Sequence, residues 1–560
     1  MFHLNSIIIA FVIVSVQYSS LLITEGLLLT VNQGMLNGTY ARARNGTLFN
    51  AFYGIPFAKP PIGELRLKAP VAADPWNGIF DATRTPVGCL ELADDGNGTK
   101  GDEDCLNLNV YTPLGARKGD NLPVLFYIYG GSFKINNNMD EGPEYMMTRN
   151  LILVIPNYRG GSLGFLSTGD AVIPGNFGLK DQLLALKWTR ENIHNFGGNP
   201  DHVTINGHSS GAVCTHFHTL SPASKGLFQQ VIMQSASAFC SLAYWGPDVS
   251  RAITKEFATK TGCPSTASSQ DMYECFKDLR ADIFVTLPEQ MYVWSAYPDG
   301  IFRPTIEDKN VEDAFITDIP QHLSYHSPKL PWMMGLTTGE GAGMTSELLA
   351  NNGKQATELN EFYKVLFPIM LQYLWNTKVE QLNNISNALK TRYFGGKYIG
   401  TQTPHELVQM ITHGNFGSCV LEAIHSYPGP KYVYWYDYAA QYLAQNEVAF
   451  YDGFLGVSHS DEVNLLFRTL PSANVLNDRD IMFSEELVKR WVNFIQTSNP
   501  NFPDKINENL MEHWKPVTTD RIEYLLININ GTMGTDLYHE TYPFWKSLGI
   551  GSKYYSYGRS

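Results

Sequence analysis

The segment Val203–Gly211 constrains the fold of this chain more than any other, because a β-branched stretch runs directly into the pattern Gly-x-Ser-x-Gly. This pattern is typical of a nucleophile elbow, a tight strand-to-helix turn that holds a serine hydroxyl above a sheet. Gly207 and Gly211 are required because a Cβ at either position would clash with its neighbours. Within this segment Ser209 has glycines at both required offsets, whereas Ser210 would need glycines where His208 and Ala212 stand. The segment therefore predicts a serine hydrolase with one nucleophile.

Composition narrows the class of protein further. Apolar residues make up 44% of the 560 residues and charged residues 17%, which is normal for a globular protein with a sizeable core. The net charge is −13 and no run of Lys and Arg offers a phosphate-binding face, so we expect no nucleic-acid partner. Because no repeat or flexible linker divides the chain, we expect one domain over residues 23–560.

The first residues resemble a secretory signal. The apolar stretch Ile7–Val16 has a length that suits a signal peptide better than a membrane span. A signal anchor is the alternative, because His3 is the only basic side chain before that stretch. We place the signal peptide at residues 1–22. No later apolar run reaches membrane length, so we expect a secreted, extracellular protein without a membrane anchor.

Sequons and cysteines agree with export. Five Asn-x-Ser/Thr sequons predict glycosylation, at Asn37, Asn45, Asn97, Asn384 and Asn530. Two pairs of cysteines are close enough in sequence to close short disulfide loops, namely Cys89 with Cys105 and Cys263 with Cys275. The cysteines left over are Cys214, Cys240 and Cys419. We expect them to be buried and inert, with at least one free thiol.

Short apolar runs suited to buried strands alternate with helical patterns along the chain. The predicted strands are Val124–Tyr129, Leu151–Pro156, Val203–Asn206, Val231–Gln234, Trp332–Leu336 and Tyr432–Tyr436, and the clearest helices are Leu179–Phe196 and Ser484–Gln496. This alternation predicts an α/β fold with a mostly parallel sheet that helices cover on both sides. The site of such a sheet forms at the carboxyl ends of its strands.

A nucleophilic serine needs a base, an orienting acid and donors for a developing oxyanion. Gly130–Phe133 follows a predicted strand and could supply backbone N–H groups, with an ordinary glycine-rich turn as the alternative. The N–H of Ser210 should be a further donor. In the chain order serine, acid, histidine, Glu340 follows a strand and His459 lies in a later turn-rich stretch. The chain has fourteen histidines, so spacing alone leaves this assignment open.

Specific motifs at Glu103–Tyr111 and within Gly175–Pro200 carry a family resemblance. With them the chain resembles the type-B carboxylesterase/cholinesterase family across nearly its whole mature length. The resemblance implies an α/β-hydrolase fold with a large, mostly parallel central sheet, Glu340 as the acid, His459 as the base and no cofactor or metal. It also implies oxyanion donors at Gly131, Ser132 and Ser210, with Ser132 in place of the family's usual Gly or Ala.

The resemblance implies further roles for individual residues. Both cysteine pairings match family disulfides, Arg66 with Glu103 and Arg159 with Asp181 look like two structural ion pairs, and Ser235 resembles a serine near the acid. His208 stands where a glutamate is common, directly before the nucleophile. Because neighbouring strand residues face opposite sides of a sheet, we expect its ring to point away from the Ser209 hydroxyl.

The implied function is hydrolysis of small-molecule carboxylic esters through an acyl-enzyme. Cholinesterase activity is not expected, because the loop between Cys89 and Cys105 has no aromatic residue to bind a quaternary ammonium. The chain looks most like the secreted insect carboxylesterases. Alternatives are a juvenile-hormone-type esterase, in which Gln is usual at position 208, and a non-catalytic binding or adhesion protein. Candidates for the pocket wall, or else for core packing, are Trp245, Trp294 and Phe302.

Overall fold

The central strands of this protein are buried on both faces, as their apolar sequences predict. Every residue of Ile152–Pro156 and of Gln230–Gln234 is buried, for example. The structure is a computed structural model, and it describes residues 26–135, 138–294, 300–441, 453–469, 476–518 and 521–551. The expected signal peptide, residues 1–22, lies outside the described residues.

The described strands form one large sheet and a small two-stranded one. The strands are β1 (Leu27–Val31), β2 (Gly34–Arg42), β3 (Leu48–Pro56), β4 (Ile79–Asp81), β5 (Glu91–Leu92), β6 (Thr99–Lys100), β7 (Asn107–Pro113), β8 (Leu122–Ile128), β9 (Ile152–Pro156), β10 (Gly198–His208), β11 (Gln230–Gln234), β12 (Trp332–Thr337), β13 (Lys431–Tyr436), β14 (Glu523–Ile527) and β15 (Thr532–Thr535). In the large sheet they follow the order β1-β2-β3-β7-β9-β8-β10-β11-β12-β13-β14-β15, and β4 pairs with β2.

The strands from β9 to β14 in this order run parallel. The flanking strands pair antiparallel, apart from β4, which runs parallel to β2. Parallel strands need crossover connections, and helices supply most of them here. The described α-helices are α1 (Gly161–Phe165), α2 (Phe177–Asn192), α3 (Ser210–Leu220), α4 (Pro247–Thr261), α5 (Ser269–Lys277), α6 (Ile283–Thr286), α7 (Pro320–Ser324), α8 (Ala342–Glu361), α9 (Tyr363–Met370), α10 (Val379–Phe394), α11 (Pro404–Ile411), α12 (Ser418–Ser426), α13 (Val463–Leu466), α14 (Asp478–Thr497) and α15 (Thr541–Ser547). The predicted α/β architecture with a mostly parallel sheet is therefore confirmed.

The two predicted helices are present, with different ends. α2 continues as a 3-10 turn to Phe196 and stops at Gly197, whose φ of 92° breaks the helix. α14 begins earlier than its apolar pattern predicts, because the side chain of Asn477 accepts a hydrogen bond from the N–H of Asp480 and caps the first turn. The polar first turn lacks the apolar spacing on which the prediction depended.

The hydrophobic core lies on both faces of the large sheet, and a second, smaller core lies among the later helices. The second core joins α8 to α11 and includes Phe367 and Trp545. Between α11 and α12 the chain forms a π-helical segment, Thr412–Gly417. Within the described ranges, no helix is both long enough and apolar enough to cross a bilayer.

Candidate active site

Ser209 occupies the turn between β10 and α3, at the carboxyl end of the sheet, with φ 56° and ψ −127°. Such a backbone conformation costs a non-glycine residue about 1–3 kcal/mol and persists only where the surroundings enforce it. The surroundings here are crowded. A Cβ on Gly207 would lie 2.1 Å from the carbonyl oxygen of Gly211, and one on Gly211 would lie 2.1 Å from that of Ile128. Both motif glycines are therefore sterically required.

The glycine-rich loop after β8 packs directly on this elbow. A Cβ on Gly130 would lie 2.8 Å from the carbonyl oxygen of His208 and 3.0 Å from the Cβ of Ser209. The loop then turns through three left-handed residues, with φ 113° at Gly131, 53° at Ser132 and 61° at Phe133. Successive unusual backbone conformations of this kind can gather N–H groups around an anion.

The loop is also bonded to the start of α3. The N–H of Phe133 donates to the hydroxyl oxygen of Ser210 at 3.2 Å. Ser210 is the first residue of α3, so its own N–H is among those that an α-helix leaves without an internal partner. The residues expected as oxyanion donors therefore lie in two adjoining segments, the loop and the helix start.

Glu340 and His459 come together although 118 residues separate them in the sequence. The Glu340 carboxylate lies 2.6 Å from Nδ1 of His459 through Oε2 and accepts the N–H of Thr337 at 2.8 Å through Oε1. The Glu340 side chain is fully buried, whereas that of His459 is 22% exposed. A buried carboxylate fixes the histidine tautomer and stabilises an imidazolium when one forms.

Backbone contacts hold the two loops that carry this pair. The N–H of Gly339 donates to the carbonyl of Val457 at 2.8 Å, and the N–H of Gly343 donates to the Ser458 hydroxyl at 3.2 Å. From the π-helical segment, the Thr412 hydroxyl accepts the N–H of Gly341 at 3.0 Å. Three separate parts of the chain thus fix the position of the acid.

A second buried acid, Glu462, lies beside the pair. Burial, reinforced by the nearby Glu340 carboxylate, raises the pKa of Glu462 to about 7. The hydroxyls of Ser235 and Tyr434 each donate to its Oε1 at 3.4 Å. Ser235, expected near the acid, bonds to Glu462, whose pKa the neighbouring Glu340 raises. In the sequence, Glu462 stands out only because it follows His459 by three residues. The resemblance assigned no role to Glu462.

His208 does not have the surroundings that strand alternation predicts. Its ring was expected to point away from the Ser209 hydroxyl, and the structure places it against the ring of His459, with centroids 4.7 Å apart. Alternation relates neighbours within a strand, but Ser209 has already left the strand conformation at φ 56°. Phe416 contacts the same imidazole with centroids 4.8 Å apart, and no sequence signal pointed to it.

A cavity of about 330 Å³ adjoins the oxyanion loop. Its wall includes the disulfide-closed loop from Leu90 to Asp94, the residues Lys134 and Ile135, and Phe302. Most of the lining is apolar, with charged side chains among it, which suits an uncharged organic ligand. Trp245 and Trp294 line a separate pocket of about 120 Å³. Of the three aromatic candidates, only Phe302 therefore faces the larger cavity.

Covalent and ionic cross-links follow the expectations, with one addition. The structure forms the disulfides Cys89–Cys105 and Cys263–Cys275 and the buried ion pairs Arg66–Glu103 and Arg159–Asp181. It also joins Cys240 to Cys419, so these two are buried but not free thiols. Cys214 remains as a buried thiol. Close spacing could not reveal the third bridge, because 179 positions separate its cysteines.

The predicted sequons differ in accessibility. Four of them have exposed asparagines, namely Asn45, Asn97, Asn384 and Asn530. Asn37 lies within β2 and is partly buried, with its Oδ1 shielded from solvent. A glycan needs an exposed side chain, so the structure favours the four exposed positions over Asn37.

The sheet order, the elbow after β10 and the flanking helices define an α/β-hydrolase. The comparisons agree. The chain matches the sequence model of the carboxylesterase family over residues 25–545. It is similar in structure to the crystal structure of juvenile hormone esterase from Manduca sexta with OTFP covalently attached, with a TM-score of 0.82, 26% identity and coverage of 94% of this chain and 99% of that one.

Similar sequences include three insect esterases. Esterase FE4 of Myzus persicae is 35% identical over 505 residues, covering 87% of this chain and 86% of that protein. Juvenile hormone esterase of Tribolium castaneum is 33% identical over 538 residues, with coverage of 91% and 89%. Venom carboxylesterase-6 of Apis mellifera is 30% identical over 498 residues, with coverage of 84% and 88%.

The chain therefore belongs to the carboxylesterase family, which confirms the resemblance. It is a carboxylic ester hydrolase whose substrates are small-molecule esters. The alternative of a non-catalytic binding or adhesion protein has no support from these relatives, which are named as esterases.

Proposed function

We propose that this esterase works by two-step acyl transfer, with Ser209 as the nucleophile, His459 as the general base and Glu340 as the orienting acid. The observation that carries the proposal is the 2.6 Å contact between Glu340 Oε2 and His459 Nδ1, next to a strained elbow that holds a serine. A base oriented by a third group beside an activated nucleophile is the arrangement that serine hydrolases share.

In the first step His459 Nε2 takes the proton of the Ser209 hydroxyl while the oxygen attacks the ester carbonyl. The tetrahedral oxyanion accepts hydrogen bonds from the N–H groups of Gly131, Ser132 and Ser210. The imidazolium of His459 then gives its proton to the alkoxide as it leaves as an alcohol, and the acyl group stays on Ser209. Water, deprotonated by the same imidazole, attacks the acyl-enzyme and releases the carboxylic acid.

The burial of Glu340 supports its role in both steps. Its carboxylate accepts hydrogen bonds from His459 Nδ1 and from the Thr337 N–H, and no solvent competes for it. The charge is therefore available to stabilise each imidazolium that forms. On the oxyanion side, removing one donor typically costs about 2.7–4 kcal/mol of transition-state stabilisation.

The mostly apolar lining of the cavity supports simple uncharged esters as the substrate class. A juvenile-hormone-type esterase is the second candidate, because two of the similar proteins carry that name. The deciding assay compares kcat/KM for naphthyl and nitrophenyl esters with that for juvenile hormone. We expect the simple esters to be turned over at least as well, and a strong preference for the hormone would favour the second candidate.

We also propose that the protein is secreted and glycosylated. Three disulfides and four exposed sequon asparagines support this proposal, because disulfides persist in oxidising compartments. Expression of the full chain in insect cells should yield enzyme in the medium whose mass falls on treatment with a glycosidase. Retention of all activity in the cell pellet would contradict the proposal.

A fluorophosphonate probe tests the mechanism directly. Wild-type protein should be labelled once, at Ser209, and should lose activity in step with labelling. The variants Ser209→Ala and His459→Ala should be neither labelled nor active while keeping the wild-type melting temperature. Full activity in either variant would refute the proposed triad.

A further inference from the structure

Two rings from separate elements contact the imidazole of His459. The ring of His208, at the end of β10, lies with its centroid 4.7 Å away and its plane tilted by 36°. The ring of Phe416, in the π-helical segment, lies 4.8 Å away with a tilt of 33°. π-Helical turns are rare and occur frequently at functional sites. The imidazole therefore has aromatic neighbours in addition to its bond with Glu340.

The position of His208 is itself fixed by packing. The residue is only 4% exposed and pairs with Gln234 in the register between β10 and β11. Gly130 closes the space beside it, because a Cβ on that glycine would lie 3.3 Å from Nδ1 of His208. A side chain so enclosed cannot change its rotamer without moving the oxyanion loop. His208 is therefore a rigid neighbour for His459.

His208 also adds no charge to the site. Burial, and secondarily the neighbouring His459, hold the pKa of His208 well below its ordinary value, so its ring stays neutral. Among the residues that the structure describes, Glu340 is bonded to His459, and Glu462 lies close enough for both to influence its pKa. His208 therefore acts on His459 through ring packing and not through a charge.

We propose that His208 is a positioning residue of this esterase, whose ring holds the imidazole of His459 in its reactive orientation. This proposal rests on the proposed role of His459 as the base. The bond to Glu340 fixes one atom of the imidazole and does not by itself set the plane of the ring. Ring packing from His208 and Phe416 opposes this turning, because a rotated imidazole would collide with its neighbours.

The orientation matters because His459 Nε2 must serve two partners in turn. It first accepts the proton of Ser209 and then gives that proton to the leaving alcohol, and both transfers need a short, aligned approach. A misplacement of about 1 Å can cost about 10²-fold in rate. Loss of the His208 ring should therefore lower kcat, whereas substrate binding in the cavity beside the oxyanion loop should change little.

The test compares His208→Ala with His208→Phe, which restores a ring without a titratable group. We expect His208→Ala to lower kcat about tenfold or more with KM within about threefold, and His208→Phe to recover most of that loss. His208→Leu fills the space without a ring and should be as slow as His208→Ala. If His208→Ala does not fold, His208→Leu replaces it in the comparison. The fraction of enzyme that reacts with a fluorophosphonate, measured at completion, corrects kcat for misfolded protein.

A matched control is His425→Ala. The ring of His425 also stacks on an aromatic ring with centroids 4.7 Å apart, but its partner is Tyr542 rather than His459. This variant should keep the wild-type kcat. A His208→Ala enzyme with a kcat within about twofold of wild type, or a His208→Phe enzyme as slow as His208→Ala, would overturn the proposal. Activity in His459→Ala would instead overturn the triad, so the two failures are distinguishable.

Discussion

The two halves of the active site are held in place by different means. On the nucleophile side, which comprises Gly130–Phe133 and Gly207–Gly211, backbone packing sets the geometry. Added methyl groups at Gly207 and Gly211 would lie 2.1 Å from carbonyl oxygens, and four residues with φ between 53° and 113° crowd together. On the base side, which comprises Gly339–Gly343, Thr412–Gly417 and Gly456–Glu462, the geometry depends mainly on side-chain bonds and ring contacts, with one backbone bond between Gly339 and Val457.

This difference predicts which substitutions each half of the site should tolerate. A backbone that is fixed by sterics tolerates no added atom, but it does not depend on the identity of distant side chains. A histidine that is fixed by side chains tolerates small backbone shifts, but it depends on residues far apart in sequence. We therefore expect substitutions on the nucleophile side to act through chemistry or folding, with the exception of His208, whose ring contacts His459. Substitutions on the base side should act through charge and orientation.

The largest expected effect is that of Ser209→Ala. It removes the nucleophile without adding an atom and should lower kcat at least about 10⁴-fold. The base side should be unaffected, so the melting temperature should match that of the wild type. Ester turnover and thermal unfolding of the same preparation check both statements. Residual activity clearly above about 0.01% of wild type, after removal of contaminating wild-type enzyme, would contradict this prediction.

Glu340→Gln tests the charge on the base side. An amide keeps the shape of the carboxylate but favours the wrong histidine tautomer, so kcat should fall about 10³- to 10⁴-fold. Thr412→Val is the matched comparison, because it removes only one hydrogen bond to the acid loop, and it should cost about tenfold or less. Steady-state kinetics at saturating ester separates them. Equal losses in both variants would mean that loop position, rather than charge, dominates.

Gly211→Ala tests the packing of the nucleophile side. Its methyl group would meet the backbone carbonyls of Ile128 and Tyr129, so the free energy of unfolding should fall by about 3 kcal/mol or more. Gly400→Ala is the control, because the nearest atom to its added Cβ lies 3.5 Å away in a side chain. Denaturant unfolding measures both. A Gly211→Ala enzyme as stable as Gly400→Ala would show that the elbow can relax.

Glu462→Gln should have the smallest effect, and one that depends on pH. The fold raises the pKa of Glu462 from 4.5 to about 7, so it favours the protonated acid. The folded state then binds more protons than the unfolded state between these values, and stability is lost as pH rises through them. Glutamine avoids this loss, which amounts to about 3 kcal/mol at most.

Thermal unfolding at two pH values checks this prediction. At pH 8 the Glu462→Gln variant should be more stable than the wild type, whereas near pH 4.5 the two should unfold at similar temperatures. Ser235→Ala removes one donor to the same carboxylate and is the matched control. It should not reproduce a stabilisation at pH 8, because the charge of Glu462 remains.

How much of the site could be predicted from the sequence also differs between the nucleophile side and the base side. The nucleophile side depends on local glycine spacing, so the need for Gly207 and Gly211 could be read from nine consecutive residues, and the buried strands followed from their apolar runs. The base side depends on contacts between distant segments. Spacing could not single out His459 among fourteen histidines, and nothing in the sequence pointed to Phe416.

The wrong or missed expectations share one physical cause, which is that a local rule was applied beyond its range. Strand alternation failed for His208 because the next residue leaves the strand. Helical periodicity missed the start of α14 because a polar cap, Asn477, begins it. Close spacing missed the bridge between Cys240 and Cys419 because tertiary structure, not sequence, brings them together.

Because the chain has an odd number of cysteines, one thiol is left over, and its reactivity can report local unfolding of the folded protein. With six cysteines in disulfides, Cys214 is the single thiol, and it lies in α3, one turn after the nucleophile elbow. Its burial raises the pKa of the thiol to about 12, so a maleimide finds no reactive thiolate in the folded enzyme. The rate of thiol labelling under native conditions would therefore measure how often the helix behind Ser209 detaches, without any engineered probe.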